Sequence, residues 1–556
     1  GRNTPSRGYD TASLYIASLL RQWGVKPLGS MTGTRGPLQA YFMPLELVSN
    51  QLNPAGMKLT LIAPAVAGRG GFGGAAAQAG PRSFEYGSEW ALGGGGFGGG
   101  GRGGGAATDP MEIADAQLVF VGNGYVINKT NVDPYKGFDV KGKVLVVAGV
   151  PAELAAMQAA GRGGGRGGAA ANPLGVENTD FVTPQGYAAK HGARGIIMVP
   201  TFQQLSAMAA PTTGRATGPN GPSFQGVRFQ AGRPAAVPAI TAGVALTNAL
   251  FQGERMSGAQ VFEGAAAGAK LDSFALNAEK KIAIQTAVTK APGSTQNVIG
   301  MVEGRDPVLK NEYVVITAHL DHVGFAGGAA GGDTINNGAD DDGSGSAALM
   351  AIARAYALGA AKGIRPKRSM IFLWVTGEEK GLWGSQYFAQ FPPVDITKVV
   401  ANLNMDMIGR SKTPGYTDPP TYKLVDPGEV LVVGPRVSSD DMGAIVGRVA
   451  ADVGKLKIND FYDTTAPDAT HDNLGPQPNG QRIFYRSDHY NFAKVGIPVA
   501  FYTTGIHTDY HRVSDSPDKI DYALLEATTR HVAAVGWVIG NAADRPKLNA
   551  KLPDQL

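Results

Sequence analysis

From Ile282 to the end of the chain, unbroken apolar runs alternate with helical patterns, and few architectures satisfy that alternation. Tyr313 to Ala318, Ser369 to Thr376, Val399 to Met405, Val430 to Gly434 and Pro498 to Tyr502 read as strands. Ser346 to Leu358, Gly384 to Gln390 and Asp521 to Ile539 read as helices. Strands that are apolar throughout must be covered on both faces, which predicts a parallel-rich sheet between helices. The expected fold class is therefore α/β: a mixed, largely parallel open sheet with helices on both faces. Such folds bind ligands beyond the carboxyl ends of their strands.

The residues that follow these strands are acids and histidines. The first strand runs into His319-Leu320-Asp321-His322, then a glycine-rich loop, then Gly338-Ala339-Asp340-Asp341-Asp342-Gly343-Ser344-Gly345 ahead of a helix. The second ends in Thr376-Gly377-Glu378-Glu379-Lys380-Gly381, the third in Asn404-Met405-Asp406-Met407-Ile408-Gly409, and Tyr510-His511 follows the last. Each cluster has a plainer reading. Asp340 to Asp342 also suit a helix N-cap, and they lack the alternation of a calcium loop. Glu378-Glu379 also suits a solvated turn, and His319 a buried histidine. His507 and His511 are four apart, but the residues between them give no helical pattern. What the plain readings leave unexplained is the repetition of metal-binding side chains after successive elements.

In this order the motifs resemble the co-catalytic di-zinc aminopeptidases and glutamate carboxypeptidases: His-x-Asp, Gly-Ala-x-Asp-Asp-Gly-Ser-Gly, Gly-Glu-Glu, Asn-x-Asp-Met-Ile-Gly and Tyr-His, over about residues 282 to 540. The resemblance implies two Zn2+ ions, one held by His319 and Asp406, the other by Glu379 and His511, with Asp341 bridging. It implies Glu378 as general base, Tyr510 as a donor to the oxyanion, and Asp321 as the group orienting His319. It implies a zinc-dependent exopeptidase acting on peptides, an aminopeptidase first, with a carboxypeptidase or dipeptidase of the same family and the single-zinc glutaminyl cyclases as alternatives. Receptor-like relatives lose these ligands, and this chain keeps them.

The earlier part of the chain reads differently. Residues 9 to 23 suit an amphipathic helix with Leu14, Ile16, Leu19, Leu20 and Trp23 on one face, followed by a strand near Tyr41 and Phe42. Strands are expected at Leu118 to Val121, Val144 to Val147, Ile196 to Val199 and, interrupted by Pro238, Val237 to Ile240, with a helix from Pro184 to His191. Tyr135 to Lys143, Ala188 to Gly195 and Val237-Pro238-Ala239-Ile240 resemble a protease-associated domain, which carries no catalytic residues in its family. His191 is accordingly expected to be structural. The implied organisation is 1–115 as the start of the catalytic domain with a glycine-rich loop at 68–107, 116–270 as the inserted domain, and 271–556 as the peptidase domain. Arg410 and Arg486 suit either a substrate carboxylate or a neighbouring acid, with pairing preferred for both. Asp488 and His489 sit in a Ser-Asp-His segment and are not expected to bind metal.

Composition removes other classes. The chain of 556 residues contains no cysteine, so thiolate sites, disulfides and a cysteine nucleophile are excluded and a transition metal must take His, Asp and Glu. With 50 basic and 46 acidic residues the net charge is only +4, which asks for no nucleic-acid partner. No apolar run has the length of a membrane span. The 79 glycines concentrate at 68–107 and at Gly161 to Gly168, where flexible surface loops explain them better than an RNA-binding segment. The chain opens on Gly1 and has no visible leader, which fits a secreted or periplasmic protein whose leader has been removed.

Overall fold

The computed structural model describes residues 1–30, 36–64, 80–93, 110–160, 173–175, 177–200, 223–229, 237–325, 332–417, 423–453, 456–463 and 483–549. Helix α1 (Arg7–Gln22) starts where the Ser6 side chain accepts from the Tyr9 backbone N–H. Its inward face is Tyr9, Ser13, Ile16, Ala17 and Leu20, which shares Ile16 and Leu20 with the expected stripe but is rotated about the axis, so that Leu14 is exposed. Burying Ile16 and Leu20 against the main core stabilises the docked helix by about 1.5–3 kcal/mol each. The strand expected near Phe42 is long, β1 (Phe42–Leu52), and it joins the main sheet.

The middle of the chain builds a separate sheet. Strands β2 (Leu118–Phe120) and β3 (Val144–Ala148), helix α2 (Pro184–His191), and strands β4 (Gly195–Val199) and β5 (Ala239–Ala242) alternate there, and the four strands run parallel. Strand β5 begins only after Pro238, which has no N–H to give a ladder. Phe274–Ala275 and Trp90–Leu92 close its two edges. Residues 80–93, inside the expected glycine-rich loop, are therefore partly strand; the rest of 68–107, like Gly161 to Gly168, lies outside the described residues. A four-stranded antiparallel sheet of Lys58–Ala63, Gly80–Phe84, Glu112–Ala116 and Lys281–Gln285 stands alongside.

The main sheet is completed by β6 (Val288–Val302), β7 (Tyr313–His319), β8 (Ser369–Val375), β9 (Val399–Met405), β10 (Glu429–Val433), β11 (Lys457–Asn459) and β12 (Val499–Thr503). Counting Ser223–Gly226 at one edge, the order is Ser223–Gly226, β1, β6, β8, β7, β9, β12, β10, β11. Strands β8, β7, β9 and β12 are parallel; β1 and β6 run against their neighbours, and β10 runs against β12 but parallel to β11, so the sheet is mixed as expected. Every residue of β8 and β9 is buried, which is why their sequences do not alternate.

Helices α3 (Gly343–Ala361), α4 (Trp383–Gln390) and α5 (Tyr522–Asn541) cover the sheet. Arg368, ahead of β8, is buried; its Nε donates to Glu312 Oε2 at 2.7 Å and its Nη1 to the carbonyls of Ile539 and Ala542 at 3.1 and 2.6 Å. This guanidinium caps the C-terminus of α5, where carbonyls lack helical partners. Within α5, the buried His531 ring meets the edge of Tyr502, and neither ring nitrogen has a hydrogen-bond partner.

Candidate metal centre

The parallel strands deliver their polar ends to one side of the sheet. His319 is the last residue of β7 and Asp406 follows β9. Asp341 precedes α3, Glu378 and Glu379 follow β8, and Tyr510-His511 follow β12. The backbone is bent to aim these groups: Met407 and His511 take left-handed φ values of +59° and +57°. For residues with a Cβ, that conformation costs of order 1–3 kcal/mol each.

Two clusters share one carboxylate. His319 Nε2 lies 3.2 Å from Asp341 Oδ1 and 3.4 Å from Asp406 Oδ1. His511 Nε2 lies 3.0 Å from Asp341 Oδ2 and 3.0 Å from Glu379 Oε2. Among the described residues, His319, Asp341 and Asp406 form one group able to hold an ion, and His322, Asp341 and Glu379 another. His322 was not expected: its Nδ1 is 3.0 Å from Glu379 Oε1. The sequence placed it one residue past Asp321, a position with no expected role, and only the fold shows that it faces Glu379.

Zinc fits these donors. They are imidazole nitrogens and carboxylate oxygens, a set zinc accepts without thiolate. His319 Nε2, Asp341 Oδ2 and His511 Nε2 are buried without a hydrogen-bond partner of good geometry, although opposed donor atoms stand close by. The electrostatics ask for positive charge. Burial works against a charged His319, yet Asp406 and Asp341 hold its pKa well above the ordinary value. His511 is likewise pushed up to about 10, its burial outweighed by Glu379 and Asp341. Glu379 falls to about 2, burial and Asp341 opposing the shift while His511 and His322 drive it. A divalent cation satisfies the acids without protonating the imidazoles.

A surrounding shell of hydrogen bonds holds the donors. His319 Nδ1 is 3.0 Å from the Asp321 carbonyl oxygen, whereas the Asp321 carboxylate stands 4.0 Å away. That carboxylate instead accepts from the backbone N–H groups of Glu378 and Glu379 at 3.1 and 3.4 Å. Asp321 thus orients His319 through its main chain and the adjacent glutamates through its side chain. Ser487 Oγ donates to Asp406 Oδ2 at 2.7 Å and accepts from Asn404 Nδ2 at 2.8 Å. Asp342 caps α3 through Gly345 N–H and also accepts from the backbone of His319 and Met407. Asp515 accepts from the N–H groups of Asp340 and Asp341 at 3.1 Å.

The other candidates fall outside the two clusters. His507 faces Asp340 at 3.2 Å. Arg410 pairs with Asp509 at 3.0 Å. Asp488 accepts from Ser385, and burial pushes its pKa up to about 7. His489 stacks on Phe501, and His191 on Tyr187 in the middle sheet's layer. A cavity opens beside Asp341, with Glu378, Asp406, Tyr510 and Arg486 in its wall and Met407, Phe501 and Ile506 on its apolar side. Glu378 is 1% exposed, and the Tyr510 ring stacks on His511 with centroids 3.8 Å apart.

Residues 297–536 match the model of peptidase family M28. A probable zinc metalloprotease of Pyrenophora teres f. teres is 29% identical over 236 residues, covering 40% of this chain and 45% of its own length. An aminopeptidase of Pseudomonas aeruginosa is 37% identical over 221 residues, covering 39% of this chain and 32% of its own. The chain thus spans less than half the length of these relatives. A solved aminopeptidase from Aneurinibacillus aligns over 99% of this chain and 92% of its own at 17% identity, with a TM-score of 0.48.

Proposed function

With residues 297–536 matching the model of peptidase family M28, we propose that this chain is a two-zinc aminopeptidase that removes N-terminal residues from peptides. The observation that carries the reading is the sharing of Asp341, whose Oδ1 is 3.2 Å from His319 Nε2 and whose Oδ2 is 3.0 Å from His511 Nε2. A carboxylate with each oxygen facing a different imidazole suits a bridge between two ions. In this reading His319 and Asp406 complete one site, and Glu379 and His511 the other.

Zinc in these sites supplies Lewis acidity toward the scissile carbonyl and makes water more acidic. The chain's own groups do the rest. Glu378, in the same cavity wall but outside both donor clusters, takes the proton of the attacking water and hands it to the leaving amine. Its backbone N–H, tied to Asp321, fixes where that carboxylate starts. Tyr510 directs its hydroxyl at the oxyanion, with its ring set by stacking on His511. The preference for the amino end is supported by the Pseudomonas relative's name. Residues 116–270, read as an inserted protease-associated domain, restrict access for large substrates.

The test pairs metal analysis with substrates of defined ends. Two zincs per chain, with cleavage of aminoacyl-arylamides but not their N-acetylated forms, support the reading. Cleavage of N-acetylated dipeptides at the carboxyl end overturns the aminopeptidase assignment. A single zinc in an enzyme that cyclises N-terminal glutamine overturns the two-zinc assignment.

A further inference from the structure

In the two-zinc reading, His319 and Asp406 are held at their side chains by hydrogen bonds from outside the donor set, whereas, His322 aside, Asp341 and Glu379 are held only at their backbone. The Asp321 carbonyl holds His319, Ser487 holds Asp406, and Asp515 holds the backbone of Asp341. Glu379 is fixed at its backbone by Asp321, which leaves its side-chain torsions free. A carboxylate that rotates freely gives up part of its binding energy in ordering.

His322 stands where such a holder is needed. It is fully buried, and its Nδ1 lies 3.0 Å from Glu379 Oε1, against 3.8 Å from Asp341 Oδ2. The other oxygen, Oε2, is the one 3.0 Å from His511 Nε2. Glu379 therefore offers its two imidazole neighbours separate oxygens. The His322 ring is itself locked. Its backbone N–H donates to the Arg2 carbonyl at 3.2 Å, and the ring packs so closely on Gly338 that a Cβ there would come within 2.6 Å of it. Nε2 has no hydrogen-bond partner, so Nδ1 is the nitrogen that engages the site.

We propose that His322 is a positioning residue for Glu379: Nδ1–H donates to Oε1 and thereby presents Oε2 to the ion shared with His511 and Asp341. As a ligand, His322 would instead share an ion with Asp341 and Glu379, the other arrangement these atoms allow, and counting imidazoles per ion separates the two. The inference rests on the two-zinc reading and adds an asymmetry to it. The holder of the Glu379 side is an imidazole, whereas Asp406 on the His319 side is held by a hydroxyl.

Zinc affinity measured by chelator competition tests this on the full chain, comparing the native protein with His322→Ala and His322→Asn. Asn is chosen because its amide N–H occupies the place of Nδ1–H. The expected result is two zincs in all three proteins at saturation. Affinity at one site falls about 10- to 100-fold in His322→Ala, the other is unchanged, and His322→Asn recovers most of the loss. X-ray absorption at saturating zinc reports the same number of imidazoles per ion in the native and Ala proteins. Unchanged affinity at both sites in His322→Ala overturns the proposal. A lower imidazole count in that variant also overturns it, because His322 would then be a ligand. Absence of zinc from the native protein marks failure of the two-zinc reading itself. Circular dichroism of the metal-free proteins identifies a variant that has not folded, and His322→Asn then carries the comparison.

Discussion

The Ser487 hydroxyl donates to Asp406 Oδ2 at 2.7 Å, leaving Oδ1 as the oxygen that faces His319 Nε2 at 3.4 Å. Because Ser487 also accepts from Asn404, its orientation is not free to vary. Ser487→Ala is expected to weaken zinc binding at the His319 site by roughly 10- to 100-fold, with kcat restored within a few-fold at saturating zinc. A zinc dose-response curve after chelation measures both. Unchanged affinity would show that Asp406 is held by something else.

Glu378 and Glu379 are adjacent, yet different losses are expected from them. Glu378→Gln keeps the donor set and removes the base, so zinc content stays native while kcat falls by about 10²- to 10⁴-fold. Glu379→Ala removes a donor, and about one zinc per chain should be lost on dialysis. Metal analysis beside steady-state kinetics separates the two. Native activity in Glu378→Gln would remove that residue from the mechanism.

His531 makes stability depend on pH. Burial lowers its pKa from 6.5 to about 4 in the folded chain. The unfolded chain therefore binds the proton more readily, and stability declines as pH falls from about 6.5 toward 4, by up to roughly 3 kcal/mol from this one group. His531→Leu should flatten that part of the profile while changing little above pH 7. Denaturant unfolding of the metal-free protein at several pH values gives the comparison, and parallel profiles for the two proteins would contradict it.

Arg368 predicts a loss of stability without a loss of metal. Arg368→Ala removes the cap on α5 and leaves Glu312 with Arg545 at 3.7 Å, so destabilisation of about 1.5–3 kcal/mol is expected from the lost charged hydrogen bonds. The side chain touches none of the zinc donors, so zinc affinity measured well below the melting temperature should be native. Calorimetry and chelator competition on the same sample distinguish this from damage at the site.

Legibility differed between the core and its surroundings. Strand β9 was readable to its ends because a fully buried parallel strand has no polar face to blur the run. The five residues expected as donors stand close together because each follows a strand or precedes a helix, where chain direction brings them to one side. Strand β6 was hidden. Its first half carries Pro292-Gly293, a turn signal, yet over 288–297 its ladder partner is β1 alone, and a proline is tolerated where one flank has no ladder. His322 was hidden for a different reason. Its partner Glu379 lies on the loop after the next strand, and no local pattern encodes a contact across a crossover.

The place of β12 in the sheet governs when the centre can exist. This strand lies between β9 and β10, although β10 and β11 come earlier in the chain. While the protein is being synthesised, those two strands pair with each other but have no link to the rest of the main sheet until residues 499–503 have emerged. His511 follows only a few positions later. Closing the sheet and completing the second ion site are thus a single late event. A nascent or truncated chain ending before β12 holds His319, Asp341, Glu379 and Asp406 but no finished pair of sites. In the two-zinc reading, the group of His319, Asp341 and Asp406 is present in a nascent chain before the group that needs His511 can form.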